Sequence, residues 1–502
     1  MITQDQGGPQ PNANWRRGDE GYNSRSLLHR KIRIYYEKIF CFERDYIFSQ
    51  TICLNKPTNT YQNNTIMRKC LLFLAAVLLL TLNVEAEPTI DNQPNDIDGV
   101  YQINSWQDLL WISQNHEHWD KDYVQTDDID FGDADTPIGE WNDSKGWSPI
   151  GKFEARNEKP FTGTYNGGGN TIENLYINRG DEELVGLFGN VSGGAEISNI
   201  RLVEVDITGE AGVGGITGGV EADGTKNDAQ NTQIINCSVS GSIKGEFAVG
   251  GIAGAMFDGE INASYNEAKI EFVEGEMGQE GVVGGVVGWL LSGSVNNSYT
   301  LGDITGPFAV GGLIGVGGGV KDESQNVVIK NSFSAGSITV IDAGEKSDPD
   351  PVKEDLNPRI FENNFGKQFS NTREQIKRSA AGGVIGILYD EFGTITNCFF
   401  DKEVASLEAP SDEGVDGITG KNTEDMMDPD TYEDWGGDIV EDETVEKGYP
   451  FLAWQDTGSR GQVWIIGTGT GDPVAVPLSN TALYLSLALI AGFVFFRIHH
   501  IR

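Results

Sequence analysis

The sequence predicts an all-β solenoid, and three observations carry that expectation. First, one phrase recurs six times: a small apolar residue, Gly, usually a second Gly, an aliphatic pair, then Gly. It reads VGLFG at 185–189, VGGITGG at 213–219, VGGIAGA at 249–255, VGGVVGW at 283–289, VGGLIGV at 310–316 and AGGVIGI at 381–387. Second, each copy is followed by an aliphatic-x-Asn phrase, at Ile197/Asn199, Ile234/Asn236, Val295/Asn297, Ile329/Asn331 and Ile395/Asn397; the copy at Ile261 has Ala263 in the Asn position. Third, the residues between are short alternating runs rich in Val, Ile, Tyr and Phe, broken by Gly, Asn, Asp and Ser, with no room for a helical period. A fixed phrase at a recurring step means stacked units, each unable to bury its apolar face alone.

The first Gly of the phrase falls at 186, 214, 250, 284, 311 and 382, so the last step, 71 residues, is about twice the others. It contains a polar, Pro-bearing insertion over 342–378, whose prolines and charges forbid a central strand and predict a loop. The glycines are expected at corners, supplying positive φ and close backbone approach. The Asn residues suit corners too, because Asn tolerates the left-handed conformation and stacked amides can pair along the axis.

Taken in order, residues 1–66 read as an upstream extension, with nine basic and six acidic residues against the acidic excess that follows. Residues 67–86 read as a signal peptide: Met67-Arg68-Lys69, an apolar run over 71–82, and a small-x-small cleavage site ending at Ala86. Residues 87–183 form an N-terminal cap and lead-in coils, with Ser105 capping a short helix from Trp106 that covers the first sheet edge. Residues 184–405 are the repeat body. Residues 406–456 form a C-terminal cap, with a short helix from Thr423 and a strand at Tyr449–Trp454. Residues 457–475 are a Gly/Thr-rich spacer, and 476–502 are a transmembrane helix with a basic tail, Arg497 to Arg502.

The chain has 36 basic and 75 acidic residues, a net charge of −39. A surface this acidic repels phosphate backbones, so nucleic acid is excluded as a partner. Five cysteines include Cys237 and Cys398, each directly after a repeat Asn where other copies have Ser264, Ser298 and Ser332. Equivalent positions in separated units are too far apart to be bridged, so these two are expected to be buried fillers.

Each candidate site in the sequence also has a structural explanation. A phosphate-cradling loop occurs once, between strand and helix; here the Gly phrase occurs six times without a helix, so it is structural. His116-Glu117-His118 lacks zincin spacing, and no HExxH is present. Asp128, Asp130, Asp133 and Asp135 crowd a Gly turn and are the candidates for calcium, a hard cation that takes six to eight oxygens. No set of Lys, Arg, His and acid stands out as a catalytic cluster, and none is expected.

The VGGhhG phrase with its aliphatic-x-Asn partner resembles the GLUG repeat of bacterial surface proteins, including adhesins. Trp106–Ile112, Asp128–Phe131, Trp147–Gly151 and Phe161–Ile172 are similar to the lead-in segments of such proteins, and Ile418–Met427 and Gly448–Trp454 to their closing segment. The resemblance covers about residues 100–455. It implies a right-handed parallel β-helix with short capping helices, and a cell-surface role in adhesion or in binding an extracellular glycan or protein. Some GLUG-bearing immunoglobulin A metallopeptidases carry a zinc domain, whose motif is absent here. Pro477-Leu478-Ser479, the apolar helix and the arginines resemble a sorting tail. Alternative functions are a β-helix polysaccharide lyase or hydrolase, and a passive spacer of the cell envelope.

Overall fold

The chain divides into two units, residues 1–83 and 84–502. The computed structural model describes residues 93–469, apart from 134–136, 152–158, 222–230, 276–280, 319–325, 342–379, 390–392, 408–409, 413, 436–438 and 458–463. The expected leader, the insertion and the expected membrane span at 476–496 therefore lie outside the described residues. Among the described residues no helix is long and apolar enough to cross a membrane.

The described body is mostly β, and its sheets are mostly parallel. Each copy of the Gly phrase after the first ends one strand and begins the next; in the first copy Val185 makes only an isolated bridge to Val213. The strand before the phrase joins a five-stranded sheet made of Ala211–Val213, Phe247–Gly250, Val282–Gly284, Ala309–Gly311 and Ala380–Gly382. The strand after it joins a six-stranded sheet running from Phe188–Val191 to Ile385–Leu388. The aliphatic-x-Asn phrase enters a 21-stranded sheet.

Register follows the repeat. Val185, Val213, Val249, Val283, Val310 and Ala381 form one column. Tyr165, Ile197, Ile234, Ile261, Val295, Ile329 and Ile395 form another, and nearly all are fully buried in the main core. The insertion interrupts the sequence but not the ladder: Ala309–Gly311 pairs directly with Ala380–Gly382, so the long step adds no further unit between them.

The expectation that the glycines of the phrase supply positive φ is corrected: none of them does. At the corner after the aliphatic-x-Asn phrase the left-handed residues are the Asn column, with φ of 57° at Asn199, 53° at Asn236, 48° at Asn297, 47° at Asn331 and 53° at Asn397. Ala263, in the same position, also adopts φ 50°. Just before the Gly phrase Leu184, Gly212 and Ala248 are left-handed too, at 53°, 65° and 50°. The phrase glycines are needed for close approach instead. A Cβ at Gly250 would overlap the Ala253 carbonyl and the Gly288 amide, and one at Gly254 would overlap the Gly212–Val213 backbone. Two sheets thus pack backbone against backbone at this corner, and a methyl group cannot fit.

Both ends of the stack are closed. Helix α1, Trp106–Gln114, begins as expected: the Ser105 hydroxyl accepts from the Asp108 amide at 3.3 Å, satisfying one of the amides a helix start leaves free. Leu109, Leu110, Trp111 and Ile112 enter the main core, and the strand Asn95–Ile97 lies antiparallel on Val100–Ile103. At the other end the corner amides need a substitute for the missing next unit. Within the stack, Leu313 and Ile314 amides donate to the Val384 carbonyl one unit on. In the last unit, the buried Asp412 carboxylate accepts from the Gly383, Val384 and Ile385 amides at 3.0, 2.7 and 3.0 Å.

Candidate functional site

The left-handed Asn decides which side chains face outward. After it, the small residue points into the core and the following residue points out. The inward set is the column Cys237, Ser264, Ser298, Ser332 and Cys398. Its hydroxyls cap neighbouring amides, Cys237 N to Ser264 Oγ at 3.1 Å and Ser298 N to Ser332 Oγ at 3.1 Å. Cys237 and Cys398 are free and buried, separated by three serines, and burial pushes both thiols up to about 12. The Asn side chains themselves form a ladder: Asn236 Nδ2 donates to Asn199 at 3.1 Å, Asn331 to Asn297 at 3.4 Å and Asn397 to Asn331 at 3.3 Å. Where Ala263 interrupts it, Asn297 donates to Asn262 at 3.0 Å instead.

The outward set is one continuous column, Arg201, Ser238, Tyr265, Tyr299, Phe333 and Phe399. Tyr265 and Tyr299 stack with centroids 5.0 Å apart at 4°, and Tyr299 and Phe333 at 4.9 Å and 1°, the spacing that adjacent strands impose. These rings are buried because the C-terminal residues lie over them. Trp454 packs on Tyr265 at 5.6 Å and donates its Nε1–H to the Ala263 carbonyl at 2.9 Å. Trp464 packs on Tyr299 and Phe333 at 5.7 and 5.9 Å. Trp435 donates to the Asn397 carbonyl at 2.9 Å, and Tyr449 to Asp401 at 2.7 Å.

This corrects two expectations. The segment Thr423–Trp454 closes the flank of the stack over the aromatic column; the end itself is closed by Asp412 and by Ile418–Lys421 pairing on Cys398–Asp401. The expected spacer, 457–475, contains a strand, Trp464–Gly469, which pairs in parallel with Ile439–Glu446 and antiparallel with Phe451–Leu452. Trp464 and Ile466 are fully buried, because the aromatic column needs an apolar cover.

The flank segment meets the stack at a polar edge. Gln455 Oε1 accepts from Tyr299 Oη at 3.0 Å and from the Leu452 amide at 2.8 Å, and Arg201 Nη2 donates to the Gln455 carbonyl at 3.3 Å. Glu267, two residues after Tyr265, is half-buried here; burial pushes its carboxyl up to about 7, with Arg201 opposing. Glu183 is the other strongly displaced acid, pushed up to about 8 by burial and by the neighbouring Glu210. Displaced carboxyls mark groups whose charge the fold resists.

The residues singled out from sequence do not converge. Asp128 accepts from the Thr171 amide at 2.7 Å, and Asp130 from Asn174 Nδ2 and the Gly132 amide, each at 2.7 Å. Asp135 and the Asp133 side chain lie outside the described residues. His118 Nδ1 lies 3.4 Å from Tyr101 Oη, and exposed His116 sits 3.5 Å from Glu117. Among the described residues no group of three His, Cys, Asp or Glu could hold a metal ion. Sequence reading missed the flank, although its signal was present: an aromatic residue two positions after the Asn in successive copies.

No family model matches the chain. A 171-residue stretch, 34% of the chain, is 32% identical to halomucin of Haloquadratum walsbyi and spans about 2% of that protein's length. Among solved structures the chain is similar to a candidate immunoglobulin A1 protease from Bacteroides ovatus, at TM-score 0.49 and 19% identity, over 73% of this chain and 95% of that one.

Proposed function

We propose that the chain is an exported cell-surface protein whose repeats coil into a right-handed parallel β-helix and act by contact, as an adhesion or extracellular ligand-binding surface. The observation that carries this reading is the 32% identity to a stretch of halomucin, a protein named as a mucin. The GLUG-like phrase and the expected leader and C-terminal span point the same way. The repeating order of strands, one from each unit to each small sheet, supports the helical coiling.

The contact surface belongs on the long sheet. Its outward column Glu196, Gln233, Glu260 and Ser294 lies beside Asn262, Asn296 and Lys330. Asn262 and Asn296 both donate to Glu260, at 3.1 and 3.3 Å. Such a face offers ordered amides, hydroxyls and carboxylates to a glycan or to a protein surface, and its rigidity lowers the entropic cost of binding. Catalysis would need converging groups that break the repeat. The test is a glycan and matrix-protein array probed with the exported protein, alongside incubation with polysaccharides followed by reducing-end assay. Saturable binding lost on Glu260→Lys supports the contact reading. Reproducible cleavage, abolished by one carboxylate substitution, would replace it with the lyase or hydrolase alternative. Absence of both would leave the envelope spacer.

A further inference from the structure

Among the described residues five asparagines begin an Asn-x-Ser triplet: Asn142-Asp143-Ser144, Asn190-Val191-Ser192, Asn236-Cys237-Ser238, Asn262-Ala263-Ser264 and Asn296-Asn297-Ser298. The triplet is the acceptor pattern for N-linked oligosaccharide, because a transferase must reach both the Asn amide and the hydroxyl two positions on. The fold removes four of them. Ser264 and Ser298 are fully buried, and Ser192 and Ser238 nearly so. The Ser264 and Ser298 hydroxyls also donate to the Asn262 and Asn296 carbonyls, at 3.1 and 2.7 Å. Asn190 is itself fully buried, and Asn236 and Asn262 nearly so. Asn296 keeps some exposure, but its amide donates to Glu260 and Ser294 at 3.3 and 3.2 Å.

The first triplet is presented differently. Asp143 and Ser144 are exposed and Asn142 is half-buried. The three take φ of 52°, 60° and 68° in succession, a left-handed turn that residues with a Cβ rarely adopt, and such outliers concentrate at functional sites. The turn stands on a fixed base: Lys145 pairs with Asp181 and Glu182 at 2.7 and 2.8 Å, and the Asn178 amide donates to the Lys145 carbonyl at 2.8 Å. We propose that Asn142 is the position at which the folded chain accepts an N-linked oligosaccharide. This rests on the reading of the chain as exported, because the donor, a polyprenyl-pyrophosphate oligosaccharide, is used on the outer side of a membrane. In the transfer the bond from the sugar C1 to the pyrophosphate oxygen breaks and one from C1 to Asn142 Nδ2 forms. The polyprenyl pyrophosphate leaves, and the amide proton passes to a base of the transferase. The folded turn tolerates the change. Nδ2 donates to the Gly146 carbonyl at 2.9 Å and to Ser148 Oγ at 3.3 Å. A glycosylated amide keeps one N–H for Gly146, and Ser148 Oγ retains the Arg179 Nη2 donor at 2.9 Å.

The test incubates the folded full chain with a purified single-subunit oligosaccharyltransferase and its lipid-linked donor, then maps the peptides by mass spectrometry. Occupancy at Asn142 should exceed that at each of the other four at least about tenfold, since those wait on local opening of the stack. Asn142→Gln and Ser144→Ala should abolish it, and Ser144→Thr should retain it. Asn142 and Asn262 each have an acidic residue two positions earlier, Glu140 and Glu260. Synthetic peptides 138–146 and 258–266 are therefore matched controls, and both should be modified, leaving burial as the difference. A bare Asn142 in the folded chain, equal occupancy at Asn262, or a bare control peptide would each overturn the proposal. Because the donor is supplied directly, such a failure leaves the export reading standing; protease digestion of the chain on intact cells tests that reading by itself.

Discussion

Asn331 and Gly250 show how differently two residues serve neighbouring corners. Asn331 sits at φ 47° with its amide in the ladder, a conformation that costs a Cβ-bearing residue about 1–2 kcal/mol. Asn331→Ala should therefore destabilise the fold by about 2 kcal/mol, the lost hydrogen bond included, and Asn331→Gly by less, because Gly relieves the backbone. Denaturant titration separates the two; equal losses would mean that conformation is not what Asn supplies. Gly250 needs no left-handed backbone but has no space for a side chain. Gly250→Val and Gly284→Val should each cost several kcal/mol by overpacking against backbone, which cannot move aside as a side chain can. Wild-type thermal stability in either variant would refute the close-approach account.

Capping elements extend the same reasoning to larger pieces. Asp412 takes the place of a whole missing unit by accepting from three amides. Asp412→Ala would strand those buried donors and should cost about 2–4 kcal/mol, with Asp412→Asn less harmful because one oxygen remains. The expected signature is fraying confined to the Ala380–Leu388 unit in hydrogen exchange. The flank segment is held mainly by apolar burial, so Trp464→Ala should cost about 3–5 kcal/mol. That loss should appear as detachment of 439–469 before the stack unfolds; a single cooperative transition with unchanged midpoint would contradict it.

For the whole molecule, continuity of the ladder across the insertion makes a direct prediction. In the preceding unit the step from Gly306 to Ala309 is made by Pro307 and Phe308 alone. A short linker in place of 342–378 should therefore leave stability within about 1 kcal/mol, since loop length contributes only logarithmically. Calorimetry checks the fold, and the binding array on the same variant shows whether the insertion carries contacts. The net charge of −39 adds a second expectation: raising salt from low millimolar to molar should raise the melting temperature by screening self-repulsion. A falling or flat dependence would mean that paired charges, not net charge, govern.

The sequence by itself determined the strand class, the repeat register and the chemistry of the Asn corner, because each is a local pattern copied from unit to unit. Parallel pairing was implied by the resemblance of the phrase to the GLUG repeat, and Ser105 and Thr423 could be read as the helix starts near which helices form. Only the tertiary structure decided the role of the phrase glycines, since close approach depends on which backbones meet across the corner, a relation absent from any one copy. It also decided that 423–469 covers a flank. A column of aromatic residues spaced by tens of positions becomes a surface only once the units are stacked, and that surface, once formed, needs Trp454 and Trp464 to keep it from water. The Arg201–Gln455 contact has the same origin: two residues from distant parts of the chain, brought together by packing that no local pattern encodes.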